Sequence, residues 1–145
     1  MSQITQQILL GGIMGALNGR WLQSRGVTHV VNASAELSNY FPRNFKYLRL
    51  DLDDTPEQDL SRAFNKSYYF IKNAIDNGGI VFVHCFGGIS RSTSQVIYYL
   101  MIDNGISFER SLNYVRRKHR RTNPNRGFQY QLMMRDPTKK FARRK

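Results

Sequence analysis

Cysteine occurs once in these 145 residues, as Cys85, and this scarcity sets the first bounds on the protein. A single thiol cannot close an internal disulfide, so the chain is not a stapled mini-protein. Any cysteine chemistry is that of a free thiol, which points to a reducing compartment, cytoplasmic and/or nuclear. With only three histidines beside it, no Cys/His zinc cage is expected, and no metal site or cofactor is called for. Apolar runs are short as well. None approaches the ~18 residues of a membrane span, and residues 8–17 lack the basic flank of a secretion signal. Acidic residues are missing from one region only. Residues 1–109 hold nine Lys/Arg against nine Asp/Glu, while residues 110–145 hold thirteen against one, Asp136. The net charge of +12 is therefore a property of the last quarter of the chain. Its natural partners are phosphorylated proteins and other acidic or phosphate-rich surfaces, with nucleic acid a secondary class.

What is present is enough chain for one domain. A domain of this length removes roughly 70% of its unfolded surface from water, so a hydrophobic core is available without cross-links. Apolar runs at 8–10, 27–31 and 80–83 read as buried strands, and a short helix fits between the first two, over 15–25. Residues 46–53 alternate, with Leu48, Leu50 and Leu52 on one face and Tyr47, Arg49, Asp51 and Asp53 on the other, which is the pattern of a half-buried strand. After Thr55-Pro56, the positions Leu60, Phe64, Ser67, Tyr68, Ile71 and Ile75 recur at helical spacing until Asn77-Gly78-Gly79. From Arg91 onward the signals are helical. One helix over 92–104 stops at Gly105, a second is capped by Ser107 with Phe108, Leu112 and Val115 inward, and a last one after Asn123-Pro124-Asn125 turns Phe128, Leu132 and Met133 inward. Strands alternating with helices predict an α/β single domain with a central, mostly parallel, twisted sheet of about four or five strands flanked by helices. Residues 1–136 are expected to form that domain and 137–145 a frayed basic tail.

The most informative stretch is His84-Cys85-Phe86-Gly87-Gly88-Ile89-Ser90-Arg91-Ser92, placed between a buried strand and a helix. A loop leaving a strand and entering a helix can turn several backbone N–H groups inward, making an anion cradle at the positive end of the helix dipole. Gly87 and Gly88 permit the backbone conformations this needs. Cys85 lies at the cradle floor, where the same field favours negative charge on sulfur. Arg91, six residues on, can hold two phosphate oxygens with its planar fork. A lone cysteine is more often a small buried hydrophobe than a nucleophile. Here the whole set of neighbours argues for the nucleophile.

These residues match the His-Cys-x5-Arg-Ser signature of the cysteine-dependent protein tyrosine phosphatase superfamily, and the chain resembles its small dual-specificity phosphatases. The similarity runs from about Ile8 to Leu132. It includes Gly26-Val27-Thr28-His29-Val30-Val31-Asn32, Tyr99-Leu100-Met101, and Pro124-Asn125-x-Gly127-Phe128-x-x-Gln131-Leu132. The resemblance implies a protein phosphatase acting on phosphotyrosine and phosphoserine/threonine through a cysteinyl-phosphate intermediate. It implies Cys85 as nucleophile, Arg91 and the loop 86–90 (Phe86, Gly87, Gly88, Ile89, Ser90) as phosphate binders, and Ser92 as the hydroxyl that helps the thiolate depart. His84 would support the loop without transferring protons. A general acid is expected in the loop about thirty residues earlier, where Asp51, Asp53 and Asp54 compete. The family pattern aligns best with Asp54, and Asp53 is the alternative. His119 and Arg120 stand where relatives often have an Arg-Pro pair near a second phosphate, and are expected to bind substrate. The run Arg116-Arg117-Lys118-His119-Arg120-Arg121 reads equally as a solvated helix face. Other functions left open are a phosphoinositide or RNA 5′-phosphatase and a non-catalytic phosphoprotein adaptor. The absence of added positive charge at 86–90 favours phosphoprotein.

Overall fold

The computed structural model describes residues 1–139. Its sheet has five strands: β1 (Ser2–Thr5), β2 (Ile8–Gly11), β3 (His29–Asn32), β4 (Lys46–Arg49) and β5 (Val81–His84), in the spatial order β1-β2-β5-β3-β4. Only the β1–β2 pair is antiparallel. The inner strands are apolar along their length because both sheet faces are covered. Ile8, Leu10, Val31, Val81 and Val83 face one core, together with Phe64, Ile97, Met101, Val115, Phe128 and Leu132 from the helices. Leu9, Val30 and Phe82 alternate to the other face and meet Ala16, Leu22, Val27 and Phe45. The helices on the larger side are α3 (Ser61–Asp76), α4 (Arg91–Asn104), α5 (Phe108–Lys118) and α6 (Arg126–Met134), while α1 (Ile13–Ala16) and α2 (Gly19–Ser24) cover the smaller one.

Several local signals act as the sequence reads. Gly105 takes the left-handed conformation (φ 63°) that closes α4, and the Ser107 and Asn125 side chains accept from Arg110 N and Phe128 N at the starts of α5 and α6. The differences are instructive. The expected helix over 15–25 is two short helices, separated where the Asn18 side chain accepts from Trp21 N and begins α2. The expected strand over 46–53 ends at Arg49, because Asp51 has a positive φ of 52° and turns the chain out of the ladder. The apolar strand at 27–31 begins later, at His29. Met133 is 47% exposed instead of inward. β1 carries no readable alternation, with Ile4 its only buried position. At the other end, Asp136 is buried, and its Oδ1 accepts from Thr138 N (2.8 Å) and Thr138 Oγ1 (2.6 Å). Its Oδ2 accepts from Phe108 N at 3.0 Å, so Thr138, at the start of the expected tail, is linked through Asp136 to the first residue of α5. Residues 140–145 of the expected tail lie outside the described residues.

The register places the chemistry. Gly11, Asn32 and His84 are level with one another across β2, β5 and β3, so the loops leaving all three strands emerge together at their carboxyl ends. β5 lies at the centre, with β2 and β3 on either side, the crevice where open α/β sheets bind ligands.

Candidate active site

Cys85 follows directly on β5 and is 2% exposed, and the next five residues form a loop whose two sides are chemically distinct. Five of the six carbonyls from Cys85 to Ser90 accept hydrogen bonds from the surrounding protein. Phe86 O accepts from Ile13 N (2.9 Å), Ile89 O from Asn123 N (2.8 Å), and Ser90 O from Ser94 N and Oγ. Gly88 O accepts from His119 Nε2 at 2.7 Å, and Cys85 O from His84 Nδ1 at 3.4 Å. The amides of Phe86, Gly87, Gly88, Ile89 and Ser90 donate to nothing among the described residues. In a trans peptide the C=O and the following N–H point in opposite directions, so carbonyls held outward aim the next amides inward. The result is a run of unpaired donors between Cys85 and the N-terminus of the 14-residue α4.

Glycine is required where another loop closes on this one. Gly88 adopts φ +65°, and a Cβ there would stand 2.8 Å from Gly11 C. A Cβ on Gly12 would stand 2.6 Å from Phe86 O. The turn after β2 thus presses directly on the back of the cradle.

Arg91, the first residue of α4, is 6% exposed and held by a partner the sequence did not reveal. Its Nη1 and Nη2 donate to the two carboxylate oxygens of Glu36 at 2.7 and 2.8 Å, and Nη1 also donates to Leu52 O at 2.9 Å. A guanidinium has five N–H donors. The two that remain, on Nε and Nη2, share one edge, and Nε is buried without a partner among the described residues. Glu36 thereby orients a two-pronged donor and leaves it free. The hydrogen bond from Arg91 holds the Glu36 carboxyl below the usual range, against a smaller opposing effect of burial. Glu36 is positioned by buried Asn32, whose Nδ2 donates to Leu37 O (2.8 Å) and Asn39 Oδ1 (3.0 Å) while its Oδ1 accepts from Ser34 N (3.0 Å) and Oγ (2.8 Å). An acidic residue just past the carboxyl end of an inner parallel strand was the available clue.

Ser92 does not cap α4. It is fully buried with its Oγ 3.1 Å from Cys85 Sγ. His84 is buried and stacks on Phe82 at 5.6 Å between ring centroids. Burial lowers its pKa to about 4, outweighing the hydrogen bond to Cys85 O, so the ring is neutral near pH 7 and has no charge to relay. Phe86 stands at the rim, 50% exposed.

The three competing aspartates separate clearly. Asp51 pairs with Arg49 at 2.8 Å, and Asp53 offers only its amide, to Gln58 Oε1. Asp54 Oδ1 accepts from Asn125 Nδ2 at 2.9 Å, and the Asn125 amide donates to Ser90 Oγ at 2.8 Å. Asn125 therefore links Asp54 to the Cys85 loop. Gln131 holds the same segment from behind, accepting from Leu60 N and donating to Gln58 O, both at 2.8 Å. Gly127 has no room for a side chain, since a Cβ would lie 2.0 Å from Pro56 O. The Asn, Gly and Gln of the last helix are thus the residues that seat the acidic loop.

The structure places His119 and Arg120 differently. His119 is 6% exposed, donates from Nε2 to Gly88 O while Nδ1 accepts from Ser2 Oγ at 2.7 Å, and lines the cleft beside the loop. Arg120 is exposed and is absent from the cleft of about 380 Å³ beside the loop, which Arg121 lines together with Met14, Phe86 and Gly87.

This arrangement has close counterparts. The family model described as "Dual specificity phosphatase, catalytic domain" matches residues 10–136. Dual specificity protein phosphatase 1B of Arabidopsis thaliana is 38% identical over 132 residues, covering 91% of this chain and 79% of that protein. Protein phosphatase Slingshot homolog 1 of Homo sapiens is 39% identical over 131 residues, 90% of this chain but only 12% of that longer protein. The crystal structure of DUSP15 superposes with a TM-score of 0.90 at 29% identity, covering 99% of this chain and 93% of that one. That of the human tyrosine phosphatase-like serine/threonine/tyrosine-interacting protein gives 0.86 at 33%, covering 91% and 92%. The chain therefore belongs to the dual specificity phosphatase family of the cysteine-dependent protein tyrosine phosphatase superfamily, and it is a protein phosphatase.

Proposed function

We propose that this phosphatase hydrolyses phosphotyrosine and phosphoserine/threonine in proteins in two steps through Cys85, with no metal. The Cys85 thiolate attacks phosphorus in line, forming an S–P bond as the bond to the substrate oxygen breaks. Asp54 gives its proton to that oxygen, and the loop amides together with the free edge of Arg91 hold the three equatorial oxygens. Asp54, now a carboxylate, takes a proton from water as the water oxygen attacks phosphorus. The S–P bond breaks, the Ser92 hydroxyl donates to the departing thiolate, and phosphate leaves. His84 stays neutral and holds the loop. Phe86, at the rim, packs against the flank of the substrate residue.

The observation that carries this reading is the partition of the 85–90 loop into engaged carbonyls and unpaired amides, beginning at a buried cysteine. A neutral loop without lysine suits a phosphorylated side chain, and the basic quarter 110–145 would dock acidic segments of the same phosphoprotein, nucleic acid being secondary. A working thiol requires reducing surroundings, in cytoplasm or nucleus. The test is phosphate release from a mixed phosphopeptide panel by wild type, Cys85→Ser and Asp54→Asn. Cys85→Ser should be inactive, and Asp54→Asn should fall about 100-fold on phosphoserine and phosphothreonine peptides. Full activity in Cys85→Ser would refute the nucleophile, and an unslowed Asp54→Asn would refute the acid.

A further inference from the structure

We propose that His119 is a positioning residue for the phosphate-binding loop, acting through the Gly88–Ile89 peptide. The inference rests on the reading that loop 86–90 binds phosphate. A carbonyl can only accept, so the 2.7 Å contact from His119 Nε2 to Gly88 O fixes the proton on Nε2. The other ring nitrogen then accepts from Ser2 Oγ, also at 2.7 Å, which locks the same tautomer. Burial lowers the pKa of the ring and keeps it neutral, as that pattern needs. Ser2 on β1 and His119 at the end of α5 thus form a short relay that ends on one loop carbonyl.

That carbonyl needs an external hold. Gly88 sits at φ +65° beside a second glycine, where the backbone has little intrinsic preference against turning the peptide over. With Gly88 O held outward, the Ile89 N–H is aimed into the cradle. A flipped peptide would present a carbonyl oxygen to phosphate and remove one donor. The neighbouring peptides are held differently. Phe86 O is fixed by the backbone amide of Ile13, and Ile89 O by that of Asn123 with Thr93 Oγ1 added. Backbone donors survive any side-chain replacement except proline. Among the described residues Gly88 O depends on one side chain alone, so a point substitution at position 119 can release one donor of the cradle and leave the rest.

The two carboxamides dissect the ring. An extended Gln places its amide nitrogen near the position of Nε2, whereas Asn reaches only as far as Nδ1. The experiment measures competitive inhibition by inorganic phosphate, together with kcat and KM for a phosphotyrosyl peptide, in wild type, His119→Gln and His119→Asn. Thermal midpoints are read alongside. The asparagine variant should bind phosphate about fivefold more weakly and lose about tenfold in kcat/KM, mostly in kcat, while the glutamine variant stays within about twofold. An asparagine variant equal to wild type, or both variants falling together with their thermal midpoints, would overturn the proposal. Should His119→Asn not fold, Ser2→Ala releases the tautomer from the partly exposed β1 and should weaken phosphate inhibition by about twofold to threefold, an unchanged constant counting against it. A wild type that phosphate does not inhibit would instead refute the phosphate-binding loop itself.

Discussion

Replacing Glu36 by glutamine keeps the shape of the side chain and removes what Arg91 requires, two acceptors on one edge. The amide offers one oxygen to a guanidinium nitrogen and turns an N–H₂ toward the other, donor against donor. Charge-assisted hydrogen bonds contribute about 1.5–3 kcal/mol, but the Glu36 side chain is 47% exposed, so solvent screening reduces the expected loss of stability to about 1 kcal/mol. For a chain of this length that is a fall of about 3 °C in Tm. The effect on rate should be larger. The free Nε–Nη2 edge of Arg91 is aimed by this pair and by Leu52 O, and a guanidinium that loses one of these three acceptors samples poses in which the equatorial oxygens lose a donor. A drop of about 20-fold in kcat/KM, near 1.8 kcal/mol, is expected. Because the positive charge remains, inhibition by inorganic phosphate should change by less than about threefold. Steady-state kinetics on a phosphotyrosyl peptide, with a thermal melt of the same sample, give both numbers. A kcat/KM within twofold of wild type beside a lowered Tm would show that Glu36 only adds stability, and the orienting role would fail. The pH behaviour carries the same sign. The Glu36 carboxyl is held below its unfolded value, so its contribution is complete above the ordinary carboxylate range and is lost as pH falls through the lowered value.

Two further outcomes follow from other parts of the site. Gly127→Ala gains about 1 kcal/mol of helix propensity, yet its Cβ would fall 2.0 Å from Pro56 O, a backbone clash that must displace the Asp54 loop or α6. Activity on phosphoserine peptides should drop about tenfold, while p-nitrophenyl phosphate, whose leaving group needs no proton, should drop about threefold at most, and equal losses on both would contradict the seating role. The depressed pKa of His84 makes the unfolded chain bind a proton that the folded one refuses between about pH 6.5 and about 4, so stability should decline as pH falls across that window and be insensitive to this group above it. The total is roughly 3 kcal/mol, read as the difference in pH dependence between wild type and His84→Gln in urea denaturation, and identical profiles would refute a buried neutral imidazole.

Much of this protein is written in short stretches of sequence, and what is legible shares one property. The apolar strands, the Gly105 stop, the Ser107 and Asn125 caps and the glycines of the Cys85 loop each depend on neighbours within a few residues. The candidate nucleophile Cys85, Arg91 and the loop between strand and helix follow from them. What escaped was the pairing of distant groups. β1 has too few residues to show alternation and exists because β2 lies beside it. The family pattern favours Asp54 over Asp53, but the contact that ties Asp54 to the loop comes from Asn125, 71 residues away. Glu36 reaches Arg91 across 55 residues, and His119 reaches Gly88 across 31. Sequence alone determined the local backbone conformations and the kind of chemistry, because hydrophobic period, turn residues and caps act over a turn or two of chain. Tertiary structure decided which carboxylate holds the arginine, which aspartate is tied through Asn125 to the Cys85 loop and which donor holds each loop carbonyl. Those choices depend on which strand ends come level across the sheet, and no local pattern encodes that register.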